Sequence, residues 1–258
     1  MKIKEILTYI EQRFPYELAA NFDLDKIGLT IGDENNELEG VLCALDLTLP
    51  VIEEAKRLNC NLIICHHPFT FTPLTKILAN DEKGALIYGM VKNDISLIAM
   101  HTNMDLGKDG VDDVLCEMLK LKDSNYGENT KDKFIRHGYI NEMSLKDLAY
   151  HLKDVFNLNG VKVMGDLDSN VKKIGILGGS GAHENDILNA IALQCDCYIT
   201  GEIKHSMALL SKYHNLNLIE VSHGIEKFVF NKLAFDIKEK FNIDVYVSEI
   251  DSNLFKYL

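Results

Sequence analysis

Short apolar runs alternate with helix-length amphipathic segments along most of this chain. In the first half, the apolar runs VLCALDL, NLIIC and ISLIAM occupy residues 41–47, 61–65 and 95–100. The helical patterns that separate or follow them lie at 50–58, 82–93 and 109–120. Successive parallel strands need a long crossover between them, usually a helix. The alternation therefore predicts an α/β fold with a mostly parallel sheet covered by helices.

The same alternation returns in the second half. Apolar runs at 172–177, 195–200 and 217–222 are separated by helical patterns at 183–193 and 206–214. Each run ends in polar residues, as the runs of the first half do. The chain is therefore predicted to form two related α/β halves, residues 1–125 and 126–258.

The region between these two patterns is more polar. Residues 120–133, KLKDSNYGENTKDK, predict a loop that connects the halves. FIRHGYI at 134–140 predicts a strand, and 144–156 predicts a helix that begins with Ser144 as its cap.

Composition limits the function classes. The 258 residues are 47% hydrophobic and 26% charged, which is ordinary for a globular protein with a sizeable core. The formal net charge is −12, and no Lys/Arg cluster stands out. Because nucleic-acid binding usually needs a basic surface, a nucleic acid is not expected as a direct ligand. A negative charge of this size favours attraction of cations.

The cysteines and the N-terminal residues predict a cytoplasmic location. None of the six cysteines forms a CxxC pair, and most lie in apolar runs, as buried thiols do. The first residues, MKIKEILTYIEQRF, have helical spacing broken by charges and do not resemble a signal peptide. No apolar stretch approaches the length of a membrane span, so no membrane association is expected.

Histidines and carboxylates follow the apolar runs at the ends where ligands bind in open α/β sheets. The candidates are His66, His67, His101, Asp105, Glu202, His205, His223 and Glu226. A mixed imidazole and carboxylate set suits Zn, Fe, Mn, Co or Ni, and differs from a structural zinc site made of thiolates.

The pair His66 and His67 is the most informative part of this set. Neighbouring side chains of a regular strand point to opposite faces, so both can serve one centre only where the strand ends. Pro68 restricts His67 to extended backbone. Two adjacent imidazoles, each reaching one of two ions about 3.5–4 Å apart, fit a dinuclear site better than a single ion. His223 and Glu226 share a face if they open a helix.

Ordinary structural roles compete with these assignments. His137, His151 and His214 are expected to be surface or capping residues, and His183 is expected to begin a helix. Cys65 precedes His66 and is a conceivable nucleophile, but it ends an apolar run and is expected to be a packed thiol.

The turn GGSGA at 178–182 also has two interpretations. It follows a strand and precedes a helix, so its backbone N–H groups can face an anion. A tight turn that lets helix and strand approach closely explains the glycines equally well.

Several segments together resemble one known family. LIICHHPFTF, IAMHTNMDLGKDGVDDVL, KKIGILGGSGA, CDCYITGEIKHS and LIEVSHGIEK are similar, in the same order, to the NIF-three-like family, whose members are called GTP cyclohydrolase I type 2 homologues. The resemblance covers roughly residues 1–250. It implies a fold of two α/β halves with a dinuclear metal site between the halves, and a ring-shaped homohexamer.

The resemblance also implies a ligand set: His66, His67, Asp105, His223 and Glu226. By analogy with the family, Glu226 bridges two divalent ions, His67 and Asp105 hold one, and His66 and His223 hold the other.

Two departures from the family pattern concern the pocket wall and the last ligand. The Trp-Asp-Asn-x-Gly-Leu stretch of the family reads NFDLDKIGLTIGD here, and the chain has no tryptophan. The final His-x-x-x-Glu is one residue shorter, from His223 to Glu226.

Two functions are carried forward from the sequence. The first is a metal-dependent hydrolase of a nucleotide-like small molecule, in which the ions lower the pKa of a shared water. His101 and His205 are its candidate proton-transfer groups. The alternative is a non-catalytic metal-binding regulatory, chaperone or interaction protein. A scaffold without metal is a third, weaker alternative.

Overall fold

The computed structural model describes residues 1–126 and 134–256, which form two compact units. The first unit comprises Met1–Gly110 and Lys227–Ser252. The second comprises Val111–Glu226 and Asn253–Leu258. The predicted halves, 1–125 and 126–258, are two consecutive stretches of sequence, whereas each of these units combines separate stretches that lie together in space. The units therefore do not test the division into halves, which stays a prediction.

The first unit is a five-stranded sheet covered by helices. Its strands are β1 (Gly28–Ile31), β2 (Val41–Ala44), β3 (Leu62–Cys65), β4 (Ser96–Ala99) and β11 (Val245–Val247). Its helices are α1 (Ile3–Arg13), α2 (Leu49–Arg57), α3 (Glu82–Lys92), α4 (Thr102–Leu106) and α9 (Val229–Phe241), with a 3₁₀ helix at Tyr16–Leu18. The strand order is β1-β4-β3-β2-β11, and only β1 runs antiparallel to its neighbour in this sheet.

Apolar side chains hold this sheet at the centre of the unit. Every residue of β2, β3 and β4 is buried, as expected for parallel strands covered on both faces. Helix α2 begins where the Thr48 side chain accepts a hydrogen bond from the Val51 N–H, and Pro50 lies in its first turn. Helix α3 begins in the same way at Asp81, which accepts from the Gly84 N–H.

The second unit has a six-stranded mixed sheet. Its strands are β5 (Lys122–Tyr126), β6 (Arg136–Ser144), β7 (Lys162–Met164), β8 (Asn170–Leu177), β9 (Cys197–Thr200) and β10 (Asn217–Glu220). Its helices are α5 (Val111–Met118), α6 (Leu145–Val155), α7 (Glu184–Ala192) and α8 (His205–Tyr213). The order is β5-β6-β8-β9-β10-β7. The central strands β8, β9 and β10 are parallel, and the other three pair antiparallel.

The predicted alternation of strands and helices is confirmed in both units. Strands β2, β3 and β4 and strands β8, β9 and β10 coincide with the six apolar runs to within a few residues. The cap of α6 is also confirmed, because Ser144 Oγ accepts from the Asp147 N–H at 3.0 Å. His183 stands before the first residue of α7, and its N–H donates to Asp186, as expected for a helix-start residue.

The prediction of a loop at 120–133 is wrong for its first part. Residues Lys122–Tyr126 form β5, which pairs antiparallel with β6. The segment KDSNY is exposed throughout and carries no apolar alternation, so its strand conformation comes from the hydrogen bonds to β6. The remainder of the predicted loop, 127–133, lies outside the described residues.

Three neighbouring parallel strands end at one edge of each sheet. In the first unit β2, β3 and β4 lead into Asp46, the pair His66 and His67, and His101. In the second unit β8 leads into the GGSGA turn, β9 into Glu202, and β10 into the 3₁₀ helix His223–Phe228. The predicted functional residues therefore follow the carboxyl ends of adjacent strands, where open α/β sheets bind ligands.

Within residues 1–126 and 134–256, we find no helix that is long and apolar enough to cross a membrane.

Burial makes every cysteine an inert thiol in the folded chain. Burial raises the pKa of Cys60 and of Cys195 to about 12, and it raises the pKa of Cys65 well above its ordinary value. All six are buried and free: Cys43, Cys60, Cys65, Cys116, Cys195 and Cys197. Since the thiolate is the reactive form, none is suited to nucleophilic attack near neutral pH.

We expect a disulfide exchange reagent at pH 8 to find about zero reactive thiols per folded chain and all six after unfolding in guanidinium. The absorbance of the released chromophore measures this count. A thiol that reacts with the native protein within seconds would contradict the burial described here, and its identification by peptide mapping would show which strand opens.

Candidate metal centre

Three imidazoles meet at the carboxyl ends of β3 and β4 in the first unit. The ring centroids of His66 and His67 are 5.0 Å apart, those of His66 and His101 are 5.2 Å apart, and those of His67 and His101 are 5.7 Å apart. One nitrogen from each ring lies within 4.8 Å of the others. Three such nitrogens can coordinate one divalent ion.

Backbone hydrogen bonds fix the histidine pair beyond the last residue of β3. The His66 N–H donates to the Ala44 carbonyl at 3.3 Å, and the His67 N–H donates to the Leu45 carbonyl at 3.0 Å. His66 is fully buried, and its Nε2 lies 3.4 Å from Asp105 Oδ1 on α4. A buried imidazole beside a carboxylate is a common arrangement of metal ligands.

Carboxylates hold two of these rings by their Nδ1 atoms. His67 Nδ1 lies 2.7 Å from Asp46 Oδ1, and His101 Nδ1 lies 2.7 Å from Asp23 Oδ2. An ionised carboxylate can only accept, so each Nδ1 carries the proton and each Nε2 is left as the metal-binding or proton-accepting atom. Metal-binding histidines usually have this kind of outer carboxylate partner.

The second unit repeats the arrangement at His223. Its Nδ1 lies 2.7 Å from Glu202 Oε1, and its Nε2 lies 3.2 Å from Glu226 Oε2. The residues are three apart in the 3₁₀ helix His223–Phe228, where side chains at this spacing lie one above the other. The predicted shared face is therefore confirmed in a 3₁₀ helix, and Glu226 is buried.

The GGSGA turn packs against the Glu226 carboxylate. Gly179 has φ +58°, and a Cβ added there would lie 2.3 Å from Glu226 Oε1. The Gly178 N–H donates to Asp112 Oδ1 at 2.8 Å, and the Gly181 N–H donates to Thr200 Oγ1 at 3.1 Å. Because the protein already uses these two donors, the tight-turn interpretation fits better than a phosphate cradle.

Asp112 is a fully buried acid behind this turn. Burial raises its pKa to about 7, while the Arg136 guanidinium opposes the shift. Its Oδ2 has no hydrogen-bond partner within the described part of the chain. The neutral form is therefore favoured over much of the acidic range.

The predicted site residues fall into two groups and one outlier. The first unit brings together His66, His67, His101 and Asp105, and the second brings together His223 and Glu226. His205 is exposed at the start of α8, and its ring has no hydrogen bond to another described residue. Its predicted role in proton transfer stays a prediction, as does the predicted ligand set.

Sequence reasoning missed two carboxylates of the first unit. Asp46 was placed inside the predicted strand 41–47, but β2 ends at Ala44 and leaves Asp46 in the turn beyond it. Asp23 lies 78 positions from His101, in a segment without periodic pattern. The position of Asp46 soon after a buried strand was a signal that could have identified it. The sequence contains no comparable signal for Asp23.

The donor set fits a divalent transition metal. The first unit offers three imidazole nitrogens and one carboxylate, and the second offers one imidazole and one buried carboxylate. All six thiols are buried away in the core, so a thiolate zinc site is not available. The fold and these residues define an α/β protein with a candidate divalent-metal site.

The chain belongs to the Duf34/NIF3 (NGG1p interacting factor 3) family, which it matches over residues 1–254. A relative from Clostridium perfringens called "GTP cyclohydrolase 1 type 2 homolog" is 32% identical over 251 residues, covering 95% of this chain and 94% of the relative. A protein of the same name from Staphylococcus aureus strain MSSA476 is 27% identical, with full coverage of both chains. The family predicted from the sequence is therefore confirmed.

Solved structures agree with this assignment. The crystal structure of a Bacillus cereus protein related to NIF3 has a TM-score of 0.92 to this chain at 25% identity. The match covers 100% of this chain and 99% of that one. The fold predicted from the resemblance, α/β with sheets covered by helices, is therefore confirmed.

We expect Asp46→Asn to weaken divalent-metal binding about 10- to 100-fold, since the amide no longer fixes the His67 ring and its tautomer. Competition with a fluorescent chelator measures the affinity. The control is Asp94→Asn, an exposed acid in the same unit that accepts from Asn36. Equal affinities for Asp46→Asn and wild type would show that Asp46 does not support a metal ligand.

We expect Asp112 to make stability depend on pH in the metal-free protein. Its folded pKa lies above the unfolded value, so folding takes up a proton between pH ~4 and pH ~7, and the stabilisation falls as the pH rises through this range. Relative to Asp112→Asn, the wild-type free energy of unfolding should fall by about 1–3 kcal/mol from pH 5 to pH 8. Urea unfolding of both proteins measures this difference, and parallel curves would contradict it.

Proposed function

We propose that this protein is a metal-dependent hydrolase of a nucleotide-like substrate. The observation that carries the proposal is the cluster of three imidazoles in the first unit, whose ligand nitrogens lie within 4.8 Å of one another. Two of these rings have their Nδ1 atoms bound by carboxylates, which fixes the orientation of each ring and makes Nε2 the atom suited to coordinate a cation or accept a proton. Side chains held this way are prepared for coordination or proton transfer.

The proposed ligands are the five residues of the predicted ligand set. His66, His67 and Asp105 belong to the first unit, and His223 and Glu226 to the second. We propose two divalent ions per chain, of the type that imidazole and carboxylate bind together: Zn, Fe, Mn, Co or Ni. Bound ions of this type lower the pKa of water and polarise carbonyl or phosphoryl oxygens.

The chain's own residues orient the ligands and move protons. Asp46 and Glu202 accept from the Nδ1 atoms of His67 and His223, which fixes both rings and makes their Nε2 atoms better donors to a cation. His101 is proposed to transfer a proton through Nε2, because Asp23 engages its other nitrogen. His205 is a second proposed proton-transfer group on sequence grounds alone.

The substrate class rests on the relatives. Proteins called "GTP cyclohydrolase 1 type 2 homolog" cover nearly the whole chain, so GTP and related nucleotides are the first compounds to test. Two donors of the GGSGA turn are already bonded within the protein, and the turn therefore does not support a phosphate role.

An interaction function is the second candidate, and a specific surface favours it. Segment 71–78 follows the histidine pair and exposes four apolar side chains: Phe71, Leu74, Ile77 and Leu78. The family name also refers to an interacting factor. In this alternative the metal stabilises a binding surface and no turnover takes place.

We also propose a ring-shaped homohexamer, which the family resemblance implies, and a cytoplasmic location, which the cysteines and the N-terminal residues predict.

We expect purified wild type, reloaded with Zn, Mn, Fe or Co, to hold about two ions per chain by plasma mass spectrometry. His67→Ala should lose at least one of them, since it deletes a proposed ligand. His214→Ala is the matched control, an exposed histidine after α8 that should retain wild-type content.

The same loaded proteins would be tested for turnover of GTP, GDP and guanosine by formate and phosphate release. Turnover by wild type and loss in His67→Ala is the expected result. Stoichiometric metal without turnover of any nucleotide favours the interaction function. Absence of stoichiometric metal after every reloading would contradict the metal centre itself.

A further inference from the structure

Asp23 is a buried carboxylate that the ligand set does not use. It lies in the turn before β1 and is fully buried. Its Oδ2 accepts from His101 Nδ1 at 2.7 Å, from Thr102 Oγ1 at 2.6 Å and from the Thr102 N–H at 3.3 Å. Burying a carboxylate is costly, so three donors on a single oxygen indicate a specific role for this group.

The donors around Asp23 are themselves fixed in direction. The Thr102 hydroxyl oxygen accepts from the Ala20 N–H at 2.8 Å, so its own proton points to Asp23. The Asp23 backbone N–H donates to the Ala20 carbonyl, which closes the turn that carries the carboxylate. The carboxylate therefore has one orientation, and so does the ring that it binds.

The charge of Asp23 is retained in the folded chain. Burial alone raises the pKa of a carboxyl group, but the hydrogen bonds from the His101 ring and from Thr102 outweigh burial and hold the pKa of Asp23 below its ordinary value. An ionised acceptor at this position keeps the proton of His101 on Nδ1.

The His101 ring lies beside two of the proposed metal ligands. It lies 5.2 Å from His66 and 5.7 Å from His67, centroid to centroid. The half-exposed Phe71 ring covers another side at 5.5 Å. His101 is thus held between a buried anion and the proposed reaction site, and the family resemblance does not count it among the ligands.

We propose that Asp23 is a positioning residue that fixes His101 as the proton-transfer group of the site. This inference rests on the proposed function, because the reaction that it describes is the proposed hydrolysis. The contacts that support it all lie within the first unit. As the water oxygen bonds to the substrate, one O–H bond breaks and Nε2 takes that proton. Nε2 then returns it to the leaving group as that group's bond breaks. The net reaction adds one water and leaves His101 unchanged.

The same arrangement of carboxylate, imidazole and reacting group operates in serine proteases. There, exchanging the aspartate for asparagine preserves the geometry and lowers kcat about 10⁴-fold, because the imidazole adopts the wrong tautomer. Here all three donors converge on Oδ2 and Thr102 supplies two of them, so an asparagine oxygen would take that position and keep the proton on Nδ1. Asp23→Ala, which removes the acceptor, is therefore the informative change.

The test uses full-length, zinc-loaded protein with ¹⁵N-labelled histidine. Long-range ¹H–¹⁵N spectra report which ring nitrogen carries the proton, and His101→Gln assigns the His101 signals. We expect the proton on Nδ1 in wild type and a shift of that proton toward Nε2 in Asp23→Ala. Asp25→Ala, which changes an exposed acid two residues away, should match wild type.

Two further readouts separate positioning from folding or ligation. Asp23→Ala and His101→Gln should both keep the wild-type zinc content. For any nucleotide that wild type turns over, each should lower kcat by about 100-fold or more with little change in KM. The double variant should be no worse than either single one, because the two residues act as a unit.

Two results would overturn the inference: the proton remaining on Nδ1 in Asp23→Ala, or loss of zinc in His101→Gln, which would make His101 a ligand. If wild type turns over no nucleotide, the proposed hydrolysis fails. The spectra and zinc content then still decide whether Asp23 positions a ring that is not a ligand.

Discussion

Hydrogen bonds between histidine Nδ1 atoms and carboxylates are the interaction on which the account of this site depends. His67, His101 and His223 each have such a partner at 2.7 Å: Asp46, Asp23 and Glu202. An imidazole without this partner can rotate and exchange its proton between nitrogens. With it, each ring has one orientation and one defined tautomer, which is the preorganisation that metal binding and proton transfer both need.

The fold supplies two of these partners, Asp46 and Glu202, because neighbouring parallel strands end at the same edge of a sheet. Asp46 follows β2, the histidine pair follows β3 and His101 follows β4, so three separate chain segments converge within the first unit. The second unit has the same arrangement, with Glu202 after β9 and His223 after β10. Buried apolar strands hold the backbone, and their polar ends are free to carry chemistry.

The sequence was sufficient for the features that local pattern determines. The six central strands, the helices between them and the Ser144 cap all follow from periodicity and capping chemistry. It was insufficient for β5 and β7, which are short or polar and exist because a neighbouring strand pairs with them. It also missed Asp23, since nothing in a single sequence relates an aspartate in a turn to a histidine 78 residues away. Strand-end histidines could be recognised, whereas the carboxylates that orient them depend on tertiary structure.

X-ray absorption at the metal edge of reloaded protein would show which atoms bind the ion. Ligation by the strand-end histidines and carboxylates predicts nitrogen and oxygen neighbours at about 2.0–2.2 Å, with the outer-shell scattering that imidazole rings produce and no sulfur. A sulfur shell near about 2.3 Å, or an oxygen shell without imidazole scattering, would contradict it. Either result would mean that the histidines at the strand ends serve a purpose other than metal binding.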